Sequence, residues 1–120
     1  MIWDRKNECM PREEIEQLQL ERLQPTLNRV YRNVAFYKKR FDRLKIGLDE
    51  IQTVQDLAQF PLTMKEDLRE SYPYGMFALP RREVVRIHSS SGVTGKPTVT
   101  GYTKNDLHHW SQLTARVLAA

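Results

Sequence analysis

The stretch Ser89-Ser90-Ser91-Gly92-Val93-Thr94-Gly95-Lys96-Pro97 lies between two short segments with the composition of strands, Val84 to His88 and Thr98 to Tyr102. Both segments are rich in β-branched and aromatic residues, which favour an extended backbone. The run between them consists mostly of glycine and hydroxyl residues, a composition typical of loops that bind phosphate. A helical pattern follows from Thr103. The sequence therefore predicts the β-loop-β-α opening of an α/β domain.

The chemistry of this loop depends on its glycines, because Gly92 and Gly95 can adopt positive φ and let backbone N–H groups converge on an anion. The side chains that could add donors are Ser90, Ser91, Thr94 and Lys96. The spacing excludes a Walker A motif, which needs four residues between its glycines and a Ser or Thr after the lysine. From composition alone, a flexible surface turn explains the loop equally well.

Residues 11–70 carry the patterns of several short helices. An apolar stripe near the 3.6-residue period predicts the first helix from Pro11 onward, formed by Ile15, Leu18, Leu23, Leu27, Val30, Tyr31 and Val34. Pro25 lies within this stripe, so we expect a kink or a break there. A second helix is predicted from Phe36 to Leu44, with Gly47 as its stop.

Capping-box patterns mark the starts of three further helices, one of them predicted over Thr53–Gln59. The three residue pairs are Thr53 with Asp56, Thr63 with Glu66, and Thr103 with Asp106. The last helix has an apolar stripe of Leu107, Trp110, Leu113 and Val117, which is still running at Ala120. Because two strands seldom form a stable sheet alone, we interpret the chain as part of a longer protein.

The pattern changes at the turn sequence Tyr72-Pro73-Tyr74-Gly75. This change predicts a helical N-terminal subdomain over residues 1–75 and, over 76–120, the incomplete start of an α/β domain that carries the loop. The fold class is therefore mixed α/β.

Composition narrows the function classes. The 120 residues are 40% hydrophobic and 28% charged, as in ordinary globular domains. No apolar run reaches the ~18–20 residues of a membrane span, and the N-terminus lacks a secretory signal, so we expect a cytoplasmic protein. The single cysteine, Cys9, cannot form an internal disulfide, and no Cys/His spacing indicates a metal site.

The net charge of +4 raises the hypothesis of nucleic-acid binding. Several cations alternate with aromatic residues, namely Arg29, Tyr31, Arg32, Phe36, Tyr37, Lys38, Lys39, Arg40, Phe41, Arg43 and Lys45. We favour a solvated helix face whose aromatic residues point into a core. A free-standing helical interaction module is a further hypothesis, and so is a degraded partial fold.

The loop and its flanks nevertheless carry a specific signature. The run from Ser90 to Pro97, continued by Thr98-Val99, Gly101-Tyr102-Thr103 and Asp106-Leu107, resembles the phosphate loop of adenylate-forming enzymes, and in particular their phenylacetate-CoA ligase branch. Upstream segments agree in the same register: Asn33–Tyr37, Phe60–Arg69, Tyr72–Gly75 and Phe77–Pro80. The resemblance covers nearly the whole chain.

This resemblance implies an ATP-dependent acid–thiol ligase of aromatic catabolism. The carboxylate of phenylacetate, or of a similar aryl acid, attacks the α-phosphate of Mg²⁺-ATP, and CoA then displaces AMP from the acyl-adenylate. The implied ATP-binding residues are Ser90, Ser91, Gly92, Val93, Thr94, Gly95 and Lys96. Val93 stands where the family usually has threonine, so one hydroxyl is missing. A homodimer is one assembly that the resemblance allows.

The resemblance also implies that the other parts of the family's active site lie outside this chain. The acyl pocket, the adenine and ribose sites, the metal-binding acid and the catalytic lysine of the family all fall beyond residue 120. We therefore assign no catalytic residue and no metal ligand within this chain, and we expect the chain alone to be inactive.

Overall fold

The computed structural model describes residues 1–92 and 95–120, and it combines helices with one antiparallel strand pair. The helices are α1 (Arg5–Glu8), α2 (Arg12–Asn33), α3 (Ala35–Leu44), α4 (Lys65–Glu70) and α5 (Lys104–Ala119). The strands are β1 (Val84–Ser89) and β2 (Val99–Thr103). Short 3-10 helices span Leu48–Glu50, Val54–Gln59 and Arg81–Glu83. The predicted mixed α/β class is confirmed.

Of the kink or break predicted at Pro25, helix α2 excludes the break. The helix runs from Arg12 to Asn33 with Pro25 inside it. Proline removes one backbone donor, but the turns on either side keep theirs. The residues around Pro25 also belong to the main core, with Leu27 buried and Leu23 packed against the buried cluster. Tertiary packing therefore holds the helix through a position that local propensity disfavours.

The main core forms where α2, α3 and the two 3-10 turns after α3 meet. Its buried centre consists of Leu27, Phe41 and Ile51. The partly buried residues around it are Leu20, Leu23, Val30, Tyr31, Tyr37, Leu48 and Phe60. Phe41 packs edge-on against Phe60 at 5.0 Å between ring centroids and lies parallel to Tyr31 at 6.3 Å. The apolar stripe predicted for the first helix thus supplies much of this core.

Helix α3 ends where it was predicted to end, but its stop residue is not the predicted Gly47. It stops at Leu44, and Lys45 takes the left-handed conformation at φ 53° that the prediction gave to Gly47. The N–H groups of Lys45 and Ile46 donate to the carbonyls of Asp42 and Phe41, which satisfies acceptors at the end of the helix. These bonds offset the conformational cost of a non-glycine residue with positive φ.

Two of the three predicted capping pairs are confirmed, and one is wrong. Asp56 accepts hydrogen bonds from the backbone N–H of Thr53 at 2.8 Å and of Gln52 at 3.0 Å. Helix α4, by contrast, begins one residue later than the pair Thr63–Glu66 requires. The carboxylate of Asp67 caps it by accepting from the Met64 N–H at 2.7 Å.

Asp67 takes this position because it also has a cationic partner. Arg40 Nη2 donates to its carboxylate at 2.9 Å, and Arg40 Nη1 donates to the Leu62 carbonyl at 2.8 Å. The same guanidinium lies 4.4 Å from the centroid of the Phe36 ring. One arginine of α3 therefore fixes the entry to α4, and a partner this distant in sequence is invisible to a local capping pattern.

Strands β1 and β2 pair antiparallel, in a register that matches Ile87 to Gly101 and Ser89 to Val99. A bulge at Val85 shifts the register between Val84 and Arg86. A Cβ on Gly101 would come within 2.7 Å of the Phe77 ring. Phe77 therefore lies directly over the β2 backbone, and Gly101 permits that approach.

Helix α5 begins as predicted. Thr103 Oγ1 accepts from the Asp106 N–H, and the Asp106 carboxylate accepts from the Thr103 N–H at 2.8 Å. The predicted apolar stripe is present, but most of it is uncovered: Leu113 is 55% exposed and Val117 is 77% exposed. Among the described residues, no helix combines the length and apolar character that crossing a membrane requires.

The two predicted subdomains, residues 1–75 and 76–120, contact each other in the structure. Asn33 Nδ2 donates to the Ala78 carbonyl at 2.9 Å. Arg116 of α5 forms a 2.8 Å ion pair with Asp4 at the N-terminus. The boundary near residue 75 stays a prediction, and these contacts link its two sides.

Candidate functional site

The candidate phosphate loop is held closed at its base by a pair of hydrogen bonds. The Ser90 N–H donates to the Thr98 carbonyl at 3.0 Å, which continues the ladder one residue past the strand pair. In return, the Thr98 N–H donates to the hydroxyl oxygen of Ser90 at 2.9 Å. The two ends of the loop are therefore joined by hydrogen bonds, and the loop extends from a closed hairpin.

Both loop glycines use the conformational freedom that the sequence predicted. Gly92 has φ 64° and Gly95 has φ 134°. The Gly95 N–H donates to the Gly92 carbonyl at 3.1 Å, which joins the two glycines directly. A Cβ on Gly92 would lie 3.0 Å from the Gly95 carbonyl oxygen, whereas a Cβ on Gly95 would meet no atom within 4 Å. A side chain at position 92 would therefore meet both an unfavourable φ and a crowded neighbour, whereas a side chain at position 95 would meet only an unfavourable φ.

The donors predicted for an anion differ in availability. The side chains of Ser91 and Lys96 are exposed, and neither makes a hydrogen bond or ion pair with another described residue. Ser90 is also exposed; its oxygen accepts from the Thr98 N–H at the loop base, and its O–H proton can still be donated. Val93 and Thr94, which the resemblance also assigns to the site, lie outside the described residues. From the described part of the loop, a nucleotide tail would therefore meet the hydroxyl donors of Ser90 and Ser91 and the cation of Lys96.

An aromatic cluster flanks the loop on one face of the strand pair. The ring of His88 lies 5.0 Å from Tyr102 and 5.8 Å from Trp110, in edge-on geometry. Tyr102 and Trp110 are 5.4 Å apart. His88 therefore packs between a strand and α5, which is the structural role that a histidine at the end of a strand usually has. These contacts anchor the chain two residues before the loop base.

The carboxylate that caps α5 stays ionised near this site. Hydrogen bonds from the Thr103 backbone N–H and hydroxyl hold the pKa of Asp106 below its ordinary value. The negative charge of Asp106 therefore stabilises the first turn of α5, where it also complements the helix dipole. Asp106 serves as a cap, and its hydrogen bonds go to Thr103 and not to the loop.

Among the described residues, neither a cluster of metal ligands nor the cleft beside α5 coincides with the loop. Within residues 1–92 and 95–120, no group of three His, Cys, Asp or Glu side chains could hold a metal ion. A cleft of about 690 Å³ lies between α2, α5 and the N-terminal segment, lined by Leu18, Arg22 and Leu113 among others, and no described loop residue borders it. The cleft is therefore separate from the candidate site.

The basic and aromatic residues of α2 and α3 do not form an open nucleic-acid surface. Phe41 is 3% exposed and lies in the core, as the helical pattern predicts. Tyr31 donates to Asp42, which also pairs with Lys38 at 3.1 Å. Base stacking requires exposed aromatic faces, and these rings are used for packing.

Comparison with known proteins covers nearly the whole chain. It is 52% identical over 106 residues to phenylacetate-coenzyme A ligase of Pseudomonas putida, a match that covers 88% of the chain. The corresponding enzyme of Escherichia coli is 48% identical over 108 residues, and that of Thermus thermophilus is 47% identical over all 120. This chain is homologous to phenylacetate-CoA ligases. The predicted resemblance is thus confirmed.

The chain spans about a quarter of the length of these relatives, with 24% of the Pseudomonas putida enzyme and 27% of the Thermus thermophilus enzyme covered. No family model matches it. Solved structures agree with the sequence relatives: 2-hydroxyisobutyryl-CoA ligase with 2-HIB-AMP and CoA superposes with a TM-score of 0.79 at 28% identity. That match covers 91% of the chain and 24% of the ligase. The fold is thus shared with a quarter of an acyl-CoA ligase.

The assignment of individual loop residues to ATP binding stays a prediction. The structure brings together Ser90, Ser91, Gly92, Gly95 and Lys96 at one loop. Sequence reasoning missed Thr98, whose backbone closes the loop with Ser90, and Phe77, which packs over Gly101. Backbone pairing next to the loop was predictable from the two strand segments, whereas the Phe77 contact required the turn between residues 71 and 80 to be known.

Proposed function

We propose that this chain is the phosphate-loop region of an ATP-dependent ligase that joins an aryl acid to CoA. The observation that carries the proposal is the loop itself: two glycines with positive φ on a closed hairpin base, next to a Ser91 hydroxyl and a Lys96 amine that no other described residue engages. Backbone N–H groups and a cation in such a loop are the donors that a nucleotide tail requires.

The reaction follows from this assignment and from the relatives. The acid carboxylate attacks the α-phosphorus of ATP, the bond to the β-phosphate breaks, and diphosphate leaves. The CoA thiolate then attacks the acyl carbon of the acyl-adenylate and releases AMP. Negative charge builds on the departing diphosphate during the first step, so donors fixed around the β- and γ-phosphates lower that barrier.

The chain's own contribution is binding and orientation. Gly92 and Gly95 would present backbone N–H groups, Ser91 its hydroxyl, and Lys96 a charge for the terminal phosphates. Val93 and Thr94 complete the assignment by resemblance. Each hydrogen bond to a charged phosphate contributes roughly 1.5–3 kcal/mol, so a few of them suffice to hold the nucleotide tail. Mg²⁺, bound with ATP, would neutralise part of the phosphate charge, and we assign none of its ligands to this chain.

The substrate class rests on names carried by the relatives. The four homologous enzymes are phenylacetate-coenzyme A ligases at 47–52% identity, whereas the solved structure at 28% identity acts on a hydroxylated aliphatic acid. We therefore propose phenylacetate or a similar aryl acid. The cosubstrates ATP and CoA are consistent with a cytoplasmic location, and a homodimer stays a prediction.

The experiment is an assay of the complete gene product with phenylacetate, ATP, Mg²⁺ and CoA, measuring thioester, AMP and diphosphate in equal amounts. Without CoA, we expect phenylacetate-dependent exchange of labelled diphosphate into ATP, because adenylation precedes thioester formation. Benzoate and 2-hydroxyisobutyrate serve as comparison acids. We expect no thioester from the 120-residue chain alone, since it spans only a quarter of its relatives. No ATP-dependent product with any of these acids would refute the proposal.

Glycine variants test the loop directly. We expect Gly92→Ala to weaken ATP binding about tenfold or more, because a non-glycine residue with left-handed φ costs roughly 1–2 kcal/mol and its Cβ would also crowd the Gly95 carbonyl. Gly95→Ala should weaken binding less, since its Cβ has room. Gly47→Ala is the matched control, a glycine with φ −78° outside the loop. Equal ATP affinity for all three variants would contradict the assignment.

A further inference from the structure

We propose that Ser90 is a positioning residue that keeps the base of the loop closed through Thr98. This inference rests on the proposed function, because it assigns a role within the same ATP-binding loop. It separates Ser90 from Ser91, although the two serines are adjacent and chemically identical.

The first step of the argument is the irregular pairing at the loop base. In a regular antiparallel pair, two residues exchange backbone hydrogen bonds in both directions. Here the Ser90 N–H donates to the Thr98 carbonyl, but the return bond from the Thr98 N–H goes to the Ser90 side chain at 2.9 Å. The Ser90 hydroxyl oxygen therefore replaces its own carbonyl as the acceptor.

The second step is what this replacement allows. The carbonyl of Ser90 is free of the ladder and accepts instead from the Ser89 hydroxyl at 3.3 Å. The backbone after Ser90 can then turn away from the strand direction, and two residues later Gly92 has φ 64°. The Ser90 hydroxyl oxygen thus keeps the hairpin closed, while the backbone after Ser90 turns out of the strand pair.

The third step contrasts the two serines. Thr98 is half-buried, and the Ser90 oxygen is the acceptor that satisfies its N–H. Removal of that oxygen leaves the donor without its protein partner, so the loop base should open more often. Ser91 makes no hydrogen bond to another described residue, so its removal should leave the base intact. A base that opens widens the loop and increases the entropy lost when the loop orders around a ligand.

The test uses the complete gene product and measures hydrogen exchange at the Thr98 amide without nucleotide, together with the Kd for ATP. We expect Ser90→Ala to speed Thr98 exchange about tenfold, the effect of losing one hydrogen bond. Ser90→Thr, which keeps the oxygen, should restore slow exchange and ATP affinity. Ser91→Ala should weaken ATP binding and leave Thr98 exchange unchanged. Thr98→Ala keeps the backbone donor and should retain slow exchange.

Two outcomes would overturn the inference. One is unchanged Thr98 exchange in Ser90→Ala, whatever happens to ATP binding, since the Ser90 oxygen would then not keep the loop base closed. The other is equal acceleration by Ser91→Ala. Exchange in the absence of nucleotide does not depend on ATP binding, so a protein that binds no ATP would refute the proposed function while leaving this measurement decisive for Ser90.

Discussion

The helical region, residues 1–75, and the strand-loop region, residues 76–120, are stabilised in different ways. The buried hydrophobic side chains among the described residues are Leu27, Val34, Phe41 and Ile51, all in the helical region. In the strand-loop region, Val85 and Ile87 of β1 remain more than half exposed. Backbone hydrogen bonds, caps and ring contacts between partly exposed side chains hold that region, whereas buried side chains hold the helical one.

This difference places the candidate site on the less packed side of the molecule. Segments that change conformation on binding a ligand are drawn from parts of a protein with few buried contacts. The helical region, with its core of aromatic and aliphatic side chains, supplies a rigid neighbour. The following substitutions probe this division, beginning with the largest expected effect.

Phe41→Ala should remove the centre of the helical core. Phe41 is 3% exposed and contacts the rings of Tyr31, Tyr37 and Phe60. Truncation of a buried phenylalanine costs about 3–5 kcal/mol, which is a large part of the stability of a small domain. Urea unfolding monitored by circular dichroism measures the loss.

The matched truncation in the other region is Val85→Ala. Val85 is 59% exposed in this chain, so its removal should change the unfolding free energy by less than about 0.5 kcal/mol. A cost comparable to that of Phe41→Ala would show that the two regions share one packed core, contrary to the division between them.

Asp67→Ala tests the polar anchor of the helical region. The change leaves the Arg40 guanidinium and the Met64 N–H without their carboxylate partner at a site where Asp67 is 9% exposed. We expect a loss of about 2–3 kcal/mol, below the range for fully buried pairs because Arg40 keeps its bond to Leu62. Glu66→Ala, one residue earlier and exposed, is the control and should cost far less.

Gly101→Ala tests a tight contact in the strand-loop region. Its Cβ would lie 2.7 Å from the Phe77 ring, so either the ring or β2 must shift. Overpacking of this kind costs about 1–3 kcal/mol, and we expect the lower half of that range because the surrounding surface is open. Gly101→Ala combined with Phe77→Leu should recover part of the loss. No recovery in the double variant would indicate that the clash lies elsewhere, for example with Val84.

The same division explains what could be predicted from sequence. Local patterns located both strands within one residue, the caps at Thr53 and Thr103, and the loop between the strands. These features depend on neighbours within three or four positions. The predicted break at Pro25 and the Thr63–Glu66 cap were wrong because each was decided by packing or by a distant partner, as when Arg40 draws Asp67 into the capping position. The predicted stop at Gly47 was wrong for a local reason, since Lys45 takes the left-handed conformation and its N–H bonds to Asp42.

For the candidate site too, the sequence predicted the location but not the roles of individual residues. Glycine and hydroxyl composition located the loop, and the family resemblance predicts its ligand class. Composition could not separate Ser90 from Ser91, because the distinction comes from one hydrogen bond to a backbone eight residues away. Sequence therefore located the loop, whereas the roles of individual donors required coordinates.

The smallest effect compares the two confirmed caps, Asp56 in the helical region and Asp106 in the strand-loop region. Backbone N–H bonds from Thr53 and Thr103, respectively, lower the pKa of each carboxyl. A lowered pKa in the folded state gives stability that is complete above the ordinary pKa of about 4 and is lost as pH falls through the lowered value. Asp56→Asn and Asp106→Asn should therefore be destabilised relative to wild type at pH 7 and converge with it at low pH.

Hydrogen exchange in the first turn of each helix measures this convergence locally, with Asp49→Asn as the control because its exposed carboxylate makes no hydrogen bond to another described residue. Exchange at α5 should respond to Asp106→Asn more than exchange after Thr53 responds to Asp56→Asn. The reason is that the 3-10 turn after Thr53 leads into Phe60, which packs on the buried core, while much of the apolar surface of α5 is uncovered. An equal response at both caps would mean that packing of Phe60 does not stabilise the turn after Thr53. The contrast between the two regions would then be limited to their cores.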